Sequence, residues 1–191
     1  MKTEVRADGT VHISGYVNVP MRESRPIVTP RGKCQEVISA GAFRRALERA
    51  PNVSLLMDHI RRPIASIRDG TLELREDNVG LHADAVTGDP DTVAAVTGGK
   101  IRGWSFNMFN VTDHVEERAG KLPLRTIEDF DMDEVTLVVS KNPCYTATSF
   151  EVRADGDTEV DVEVRSTEDK GVPEKPMEDP LKDYKARFEK L

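Results

Sequence analysis

The chain predicts a mainly β fold with a few helices outside it, arranged as an antiparallel barrel or sandwich, and two observations carry the prediction. About eight or nine short apolar stretches of strand length recur along residues 1–153 with turn signals between them, and only two stretches there carry a helical pattern. The size agrees with one such domain: 191 residues, 38% hydrophobic and 32% charged, exceed the usual domain of about 150 residues by an appendage and exclude a two-domain enzyme.

The first strand is expected at 11–19, where Val11, Ile13, Val17 and Val19 share one parity and His12, Ser14, Tyr16 and Asn18 the other. Pro26, Pro30, Gly32 and several charges make 22–33 a loop long enough to suspect a role, and a short strand over 36–38 follows. Phe43, Ala46, Leu47 and Ala50 fall at i, i+3, i+4 and i+7 of a helix that Ser39 caps and Pro51 stops, with Arg44, Arg45 and Glu48 toward water. Residues 53–57 are a nearly unbroken apolar strand, ending in the polar cluster Asp58, His59, Ile60, Arg61, Arg62 and Pro63.

Strands over 64–68, 71–75 and 79–85, divided by Asp69-Gly70 and Asp77-Asn78, form an antiparallel meander. Residues 89–97 are a short helix with acidic residues in its first turn and Gly98-Gly99 after its last. A strand over 101–111 is ended by the charged stretch 112–121, two apolar segments lie at 122–130 and 135–140, and the last strand alternates through Thr148, Phe150 and Val152.

The charge is unevenly spread. The formal net charge is −7, and residues 154–191 hold 12 acidic against 7 basic side chains, leaving 22 against 20 in residues 1–153. A near-neutral body lacks the basic field that nucleic acid requires, so nucleic acid is not expected as a partner. No apolar run approaches the ~18–20 residues of a membrane span, and MKTEVRADG has no signal-peptide core, so a cytoplasmic, membrane-free protein is expected. Cys34 and Cys144 have no metal-ligand spacing and are expected as free thiols. Residues 154–191 have the composition of a flexible acidic tether, with Val160, Val162 and Val164 able to add an edge strand. Leu181, Tyr184, Phe188 and Leu191 mark a short amphipathic helix, which binds a partner or another copy, or frays.

Three places could carry chemistry. His59 stands where an apolar strand ends, a position that rigid strands hold reproducibly. Ser105 lies in a strand on the face opposite Trp104, Phe106 and Met108, as a packing residue or a nucleophile. Asp129, Asp131, Asp133 and Glu134 precede the strand at 135–140, as a solvated turn or a source of carboxylates. His12 and His82 alternate within strands as core-adjacent or surface residues, His114 lies among Asp113, Glu116 and Glu117, and no metal-binding spacing occurs.

Taken in order, ISGYVNV, EVISAGAFRRAL, VSLLMDHIRRPIASI, the GL of VGLHADA, GGKIRGWSFNM and DEVTLVVSKNPCYTAT resemble the serine proteases of tailed-phage proheads, which process capsid proteins during head maturation. The resemblance runs from Ile13 to about Arg153, some three quarters of the chain. It implies a fold similar to the herpesvirus assembly proteases, an antiparallel β-barrel surrounded by short helices, with a domain over 1–153 and a tail over 154–191. Carried onto this chain, it implies His59 as general base, Ser105 as nucleophile and Glu134 as the acidic third member, with Asp131 and Asp133 as neighbours that could serve instead. A serine hydroxyl needs an imidazole to take its proton and a carboxylate to hold the imidazole's tautomer, so three separated residues must converge.

The chain departs from the family in carrying Phe106 and Asn107 after the serine, where a small residue and glycine are usual, and Thr136 where serine is common. Arg61 and Arg62 beside the histidine either bind acidic substrate side chains or solvate the loop. The resemblance implies no cofactor. Its implied partners are the major capsid protein or its scaffold segment, the portal, and a second copy of the chain through self-cleavage, all inside the assembling prohead in the host bacterial cytoplasm. The alternative is a non-catalytic assembly module on the same barrel, with a metal-dependent hydrolase as a distant third.

Overall fold

The computed structural model describes residues 1–140 together with Pro143 and Tyr145. The expected strand over 148–152, Cys144 and the tail over 154–191 lie outside the described residues. In chain order the elements are β1 (Lys2–Val5), β2 (Val11–Asn18), β3 (Ile27–Thr29), β4 (Gly32–Ile38), α1 (Ala42–Arg49), β5 (Ser54–Met57), β6 (Ile60–Ser66), β7 (Leu72–Glu76), β8 (Leu81–Thr87), α2 (Pro90–Thr97), β9 (Gly103–Phe106), β10 (Phe109–Glu116), β11 (Leu124–Asp131) and β12 (Glu134–Val138). The fold is mainly β with two short helices among the described residues.

The strands form three four-stranded sheets, ordered β1-β2-β8-β7, β10-β11-β4-β3 and β6-β5-β12-β9, with no closed barrel among the described residues. The wholly antiparallel expectation is corrected in two places, since β4 pairs with β11 and β5 with β12 in parallel. Alternation of apolar residues specifies the face a side chain takes, not the direction of the neighbouring strand. The apolar run at 53–57 did carry a hint, because strands of parallel pairs read as continuous apolar runs, and both Leu55 and Leu56 are buried. The meander over 64–85 is corrected as well: β7 pairs with β8, but β6 folds back on β5 through a tight turn at Asp58-His59.

The strand expected over 101–111 divides into β9, which joins β12, and β10, which joins β11 and runs on to Glu116. The charged residues after Val111 do not end it, because Thr112, His114 and Glu116 face solvent from a sheet edge. The expected loop at 22–33 holds β3 and the start of β4, and β1 is an exposed strand that no apolar pattern announces.

Helix α1 is not capped by Ser39. Its N-cap is Gly41, at φ 78°, a left-handed conformation that glycine adopts without a Cβ penalty. Glu76 of β7 supplies the acceptors instead: its carboxylate oxygens take hydrogen bonds from the backbone N–H groups of Gly41 at 2.8 Å and Arg44 at 2.7 Å. A carboxylate there also meets the positive end of the helix dipole. Arg45 and Arg49 do not simply face water. Arg49 Nε donates to Asp131 at 3.0 Å, and the guanidinium groups of Arg45 and Arg49 donate to the carbonyls of Glu128 and Phe130, strapping α1 to β11. Helix α2 starts at Pro90, and Asp89, expected within its first turn, is its N-cap, accepting from the Thr92 N–H at 2.9 Å.

All three sheets and α1 share one apolar core, which includes Ile13 and Val17 from β2, Ile127 from β11, and Leu55, Val135, Leu137, Trp104 and Phe106 from the third sheet. Phe43 of α1 meets Phe106 and Phe130 edge-on, with ring centroids 5.1 and 5.3 Å apart, a favoured geometry for aromatic pairs. Beneath β4 and β11 lies a buried ionic group. Arg125 donates to Glu36 at 2.7 Å and to Asp113, Tyr145 donates to the other Glu36 oxygen at 3.2 Å, and Arg31 reaches Asp113 from the surface at 2.8 Å. Glu36 is wholly buried and the Arg125 side chain is 6% exposed, so each charge depends on its partners.

Two outcomes follow from these contacts. Arg125→Ala strands the buried Glu36 carboxylate without its cation, Asp113 keeping Arg31, and should lower the unfolding free energy by about 3–5 kcal/mol in a urea titration. Asp131 is held below its ordinary pKa of 3.8 by the Asn110 side chain first and Arg49 second, against the opposing effect of burial. Its folded-state pKa is depressed, so the stability it contributes is present above 3.8 and is lost as pH falls through the folded value. Below pH 3.8, wild type should therefore lose thermal stability more steeply than Asp131→Asn, as followed by circular dichroism.

Candidate active site

Strand β12 occupies the interior of its sheet, parallel to β5 on one side and antiparallel to β9 on the other. Val135 and Leu137 are wholly buried in the core, so the alternate residues Glu134, Thr136 and Val138 take the opposite face. The register then sets Ser105 of β9 directly beside Thr136 and Ser54 of β5 beside Glu134. Ser105 and Glu134 thus lie on one face of one sheet, on neighbouring strands.

The histidine comes from the turn at the far end of β5. Asp58 and His59 both have positive φ, 48° and 59°, the backbone a two-residue hairpin turn of the I′ kind requires and one that Asp and His tolerate better than most residues. The turn is tied down by Asp58, whose N–H donates to the Leu137 carbonyl at 2.9 Å and whose Oδ1 accepts from the N–H groups of Val139 and Ser140. From it the His59 ring reaches Glu134, with Nδ1 2.5 Å from Oε1. A carboxylate can only accept, so a proton sits on Nδ1 and Nε2 is the ring nitrogen left open to other partners.

The three carboxylates near the third position separate cleanly. Glu134 holds His59, Asp131 is taken by Arg49 and Asn110, and Asp133 accepts from the Asn107 amide at 3.2 Å. Asn107, one of the departures from the family pattern, also donates its N–H to the Glu134 carbonyl at 3.3 Å and so fastens the end of β9 to the start of β12.

Ser105 completes the site without closing it. It is 5% exposed, and its Oγ has no hydrogen-bond partner among the described residues, so the bond to His59 is not made. The His59 side chain is 43% exposed and accessible. Ser14 Oγ does lie 3.3 Å from His82 Nε2, on the outer side of the first sheet, but no carboxylate is bonded to that histidine among the described residues. His12 pairs with Asp84 and His114 with Glu128, both at the surface.

Of the two arginines after His59, Arg62 is committed to Asp89 at 2.7 Å and Asp91 at 3.1 Å at the start of α2, and Arg61 is exposed. Among the described residues no group of three or more His, Cys, Asp or Glu side chains converges as a metal ion would require. A surface cavity of about 400 Å³ bordered by Thr29, Arg31, Lys33 and Arg125 shares no residue with the site. Asp58 as the anchor of the turn was not anticipated from the residues around it. Its signal is the spacing alone, one residue before the histidine at the end of an apolar strand.

Long-range ¹⁵N–¹H correlation spectra should show His59 protonated at Nδ1 in the wild type and a shift toward the Nε2–H tautomer in Glu134→Ala, the form that dominates when no acceptor holds Nδ1. A family model described as the caudovirus prohead serine protease matches residues 1–162. No curated protein and no solved structure matches the chain.

Proposed function

The chain belongs to the caudovirus prohead serine protease family, and on that premise we propose that it is a serine endopeptidase that cleaves capsid or scaffold protein in the assembling prohead, with Ser105 as nucleophile, His59 as base and Glu134 as the group that orients the base. One observation carries the residue assignment. Glu134 holds His59 by Nδ1, leaving Nε2 free, while the strand beside Glu134 presents a serine hydroxyl with no other partner.

In this reading Ser105 Oγ attacks the peptide carbonyl carbon as its proton passes to His59 Nε2. Glu134 stabilises the imidazolium that forms. The imidazolium then gives the proton to the leaving amine, the peptide C–N bond breaks, and an acyl-enzyme on Ser105 remains. Water, deprotonated by the same Nε2, releases the acid and restores the serine. Closing the distance between Ser105 Oγ and Nε2 belongs to substrate binding, since catalytic hydrogen bonds are often loose in resting enzymes. A barrel of the herpesvirus-protease kind is the fold this reading expects, with three open sheets around one core as its support. The acidic stretch 154–191 is then a targeting or self-removed segment, and portal contact and self-association belong to the same reading.

The second reading, a non-catalytic assembly module, is favoured by the unmade Ser105–His59 bond and the burial of Ser105. Co-expression with the capsid protein separates the two. The protease reading expects cleavage that disappears in Ser105→Ala and His59→Ala, falls about 10²–10⁴-fold in Glu134→Gln, and stays within a few-fold in Asp133→Ala. Assembly around uncut capsid protein by the wild type would instead establish the module.

A further inference from the structure

We infer that Thr136 is a positioning residue for Ser105, its Oγ1–H donating a hydrogen bond to Ser105 Oγ across the β9–β12 pair; this rests on the reading of Ser105 as nucleophile. The two residues are direct partners in the antiparallel register. Their side chains therefore stand on the same face with Cβ atoms about 4.5–5.5 Å apart, close enough for two hydroxyls to meet by rotation about χ1. Both hydroxyls are buried and neither has a partner among the described residues, so the bond between them is not made in the resting rotamers and forms by that rotation.

The burial decides what each can bond to. Thr136 is 0% exposed, so neither solvent nor an arriving peptide satisfies it, and a buried hydroxyl left unpaired is unfavourable. Trp104 Nε1 is also unpaired, but Trp104 alternates with Ser105 and projects to the core face. The acceptor at hand on Thr136's own face is Ser105 Oγ.

The direction of the bond has a chemical consequence. A β-branched threonine in a strand has few χ1 choices, so once rotated to the serine its hydroxyl is held there as a donor. Donation to one lone pair of Ser105 Oγ selects the serine rotamer and leaves the serine's own proton unused. That proton is then available to His59 Nε2, and a second lone pair to the substrate carbon. Glu134 and Thr136, two residues apart on one strand, would each hold one partner of the reaction: Glu134 the base and Thr136 the nucleophile.

The test uses the full chain with a fluorophosphonate probe for serine reactivity and capsid-protein cleavage for turnover. Thr136→Val keeps the shape and removes the hydroxyl, and Thr136→Ser keeps the hydroxyl. Thr136→Val should label and turn over about tenfold more slowly, the worth of one hydrogen bond, with KM unchanged and a thermal midpoint close to that of the wild type. Thr136→Ser should return both rates to within a few-fold of the wild type. Wild-type rates in Thr136→Val would overturn the inference, as would a slow Thr136→Ser variant that is fully folded. Failure of the wild type itself to label at Ser105 would overturn the nucleophile reading and this inference with it, which separates the two failures.

Discussion

The pairing of β12 between β5 and β9 is the constraint on which the site depends. Val135 and Leu137 are wholly buried and lock the strand's core face. A slip of one residue would turn Glu134 and Thr136 into the apolar core and carry Val135 and Leu137 to the opposite face. The same register delivers Ser105 to one side of β12, while β5 on the other side leads into the turn that carries His59. Hydrophobic burial thus fixes the relative placement of three polar groups on neighbouring strands and their turn.

Charge in this protein is handled by assignment. Arg125 is shared between Glu36 and Asp113 beneath β4 and β11, Glu76 serves the start of α1, and Arg49 takes Asp131. Each of these pairings occupies a carboxylate that a free count of acidic residues would leave available. Among the cluster at 129–134, only Glu134 is bonded to a histidine ring that the site can use, Asp129 and Asp131 being turned toward the arginines of α1. The helix therefore does more than cover the core: its arginines engage the carboxylates that neighbour Glu134. Its hydrophobic face docks through Phe43 on Phe106 and Phe130, next to the strand that holds Ser105.

Much of the fold was legible where one physical pattern dominates. The alternation in β2 and β8, the apolar run of β5, the helical spacing of α1 and the glycine stop of α2 all appear where the residues place them. The failures share a cause. β1 is fully exposed, so burial leaves no mark on its sequence, and β3 is only three residues long. The break between β9 and β10 occurs at Asn107-Met108 because the chain changes sheets there, and partners in another sheet leave no local signal. The Ser39 cap was a sound local rule overridden by Glu76, 35 residues from the N–H it accepts from.

By itself the sequence determined the mainly β class, the uneven charge and the candidates His59, Ser105 and Glu134, because periodicity, composition and ordered motifs are all local properties of the chain. Only the tertiary structure decided which carboxylate holds the histidine, that two strand pairs run parallel, and that Thr136 stands beside Ser105. Those are matters of register between segments far apart in the chain. Register is set by which side chains can be buried together, and no local stretch contains that information.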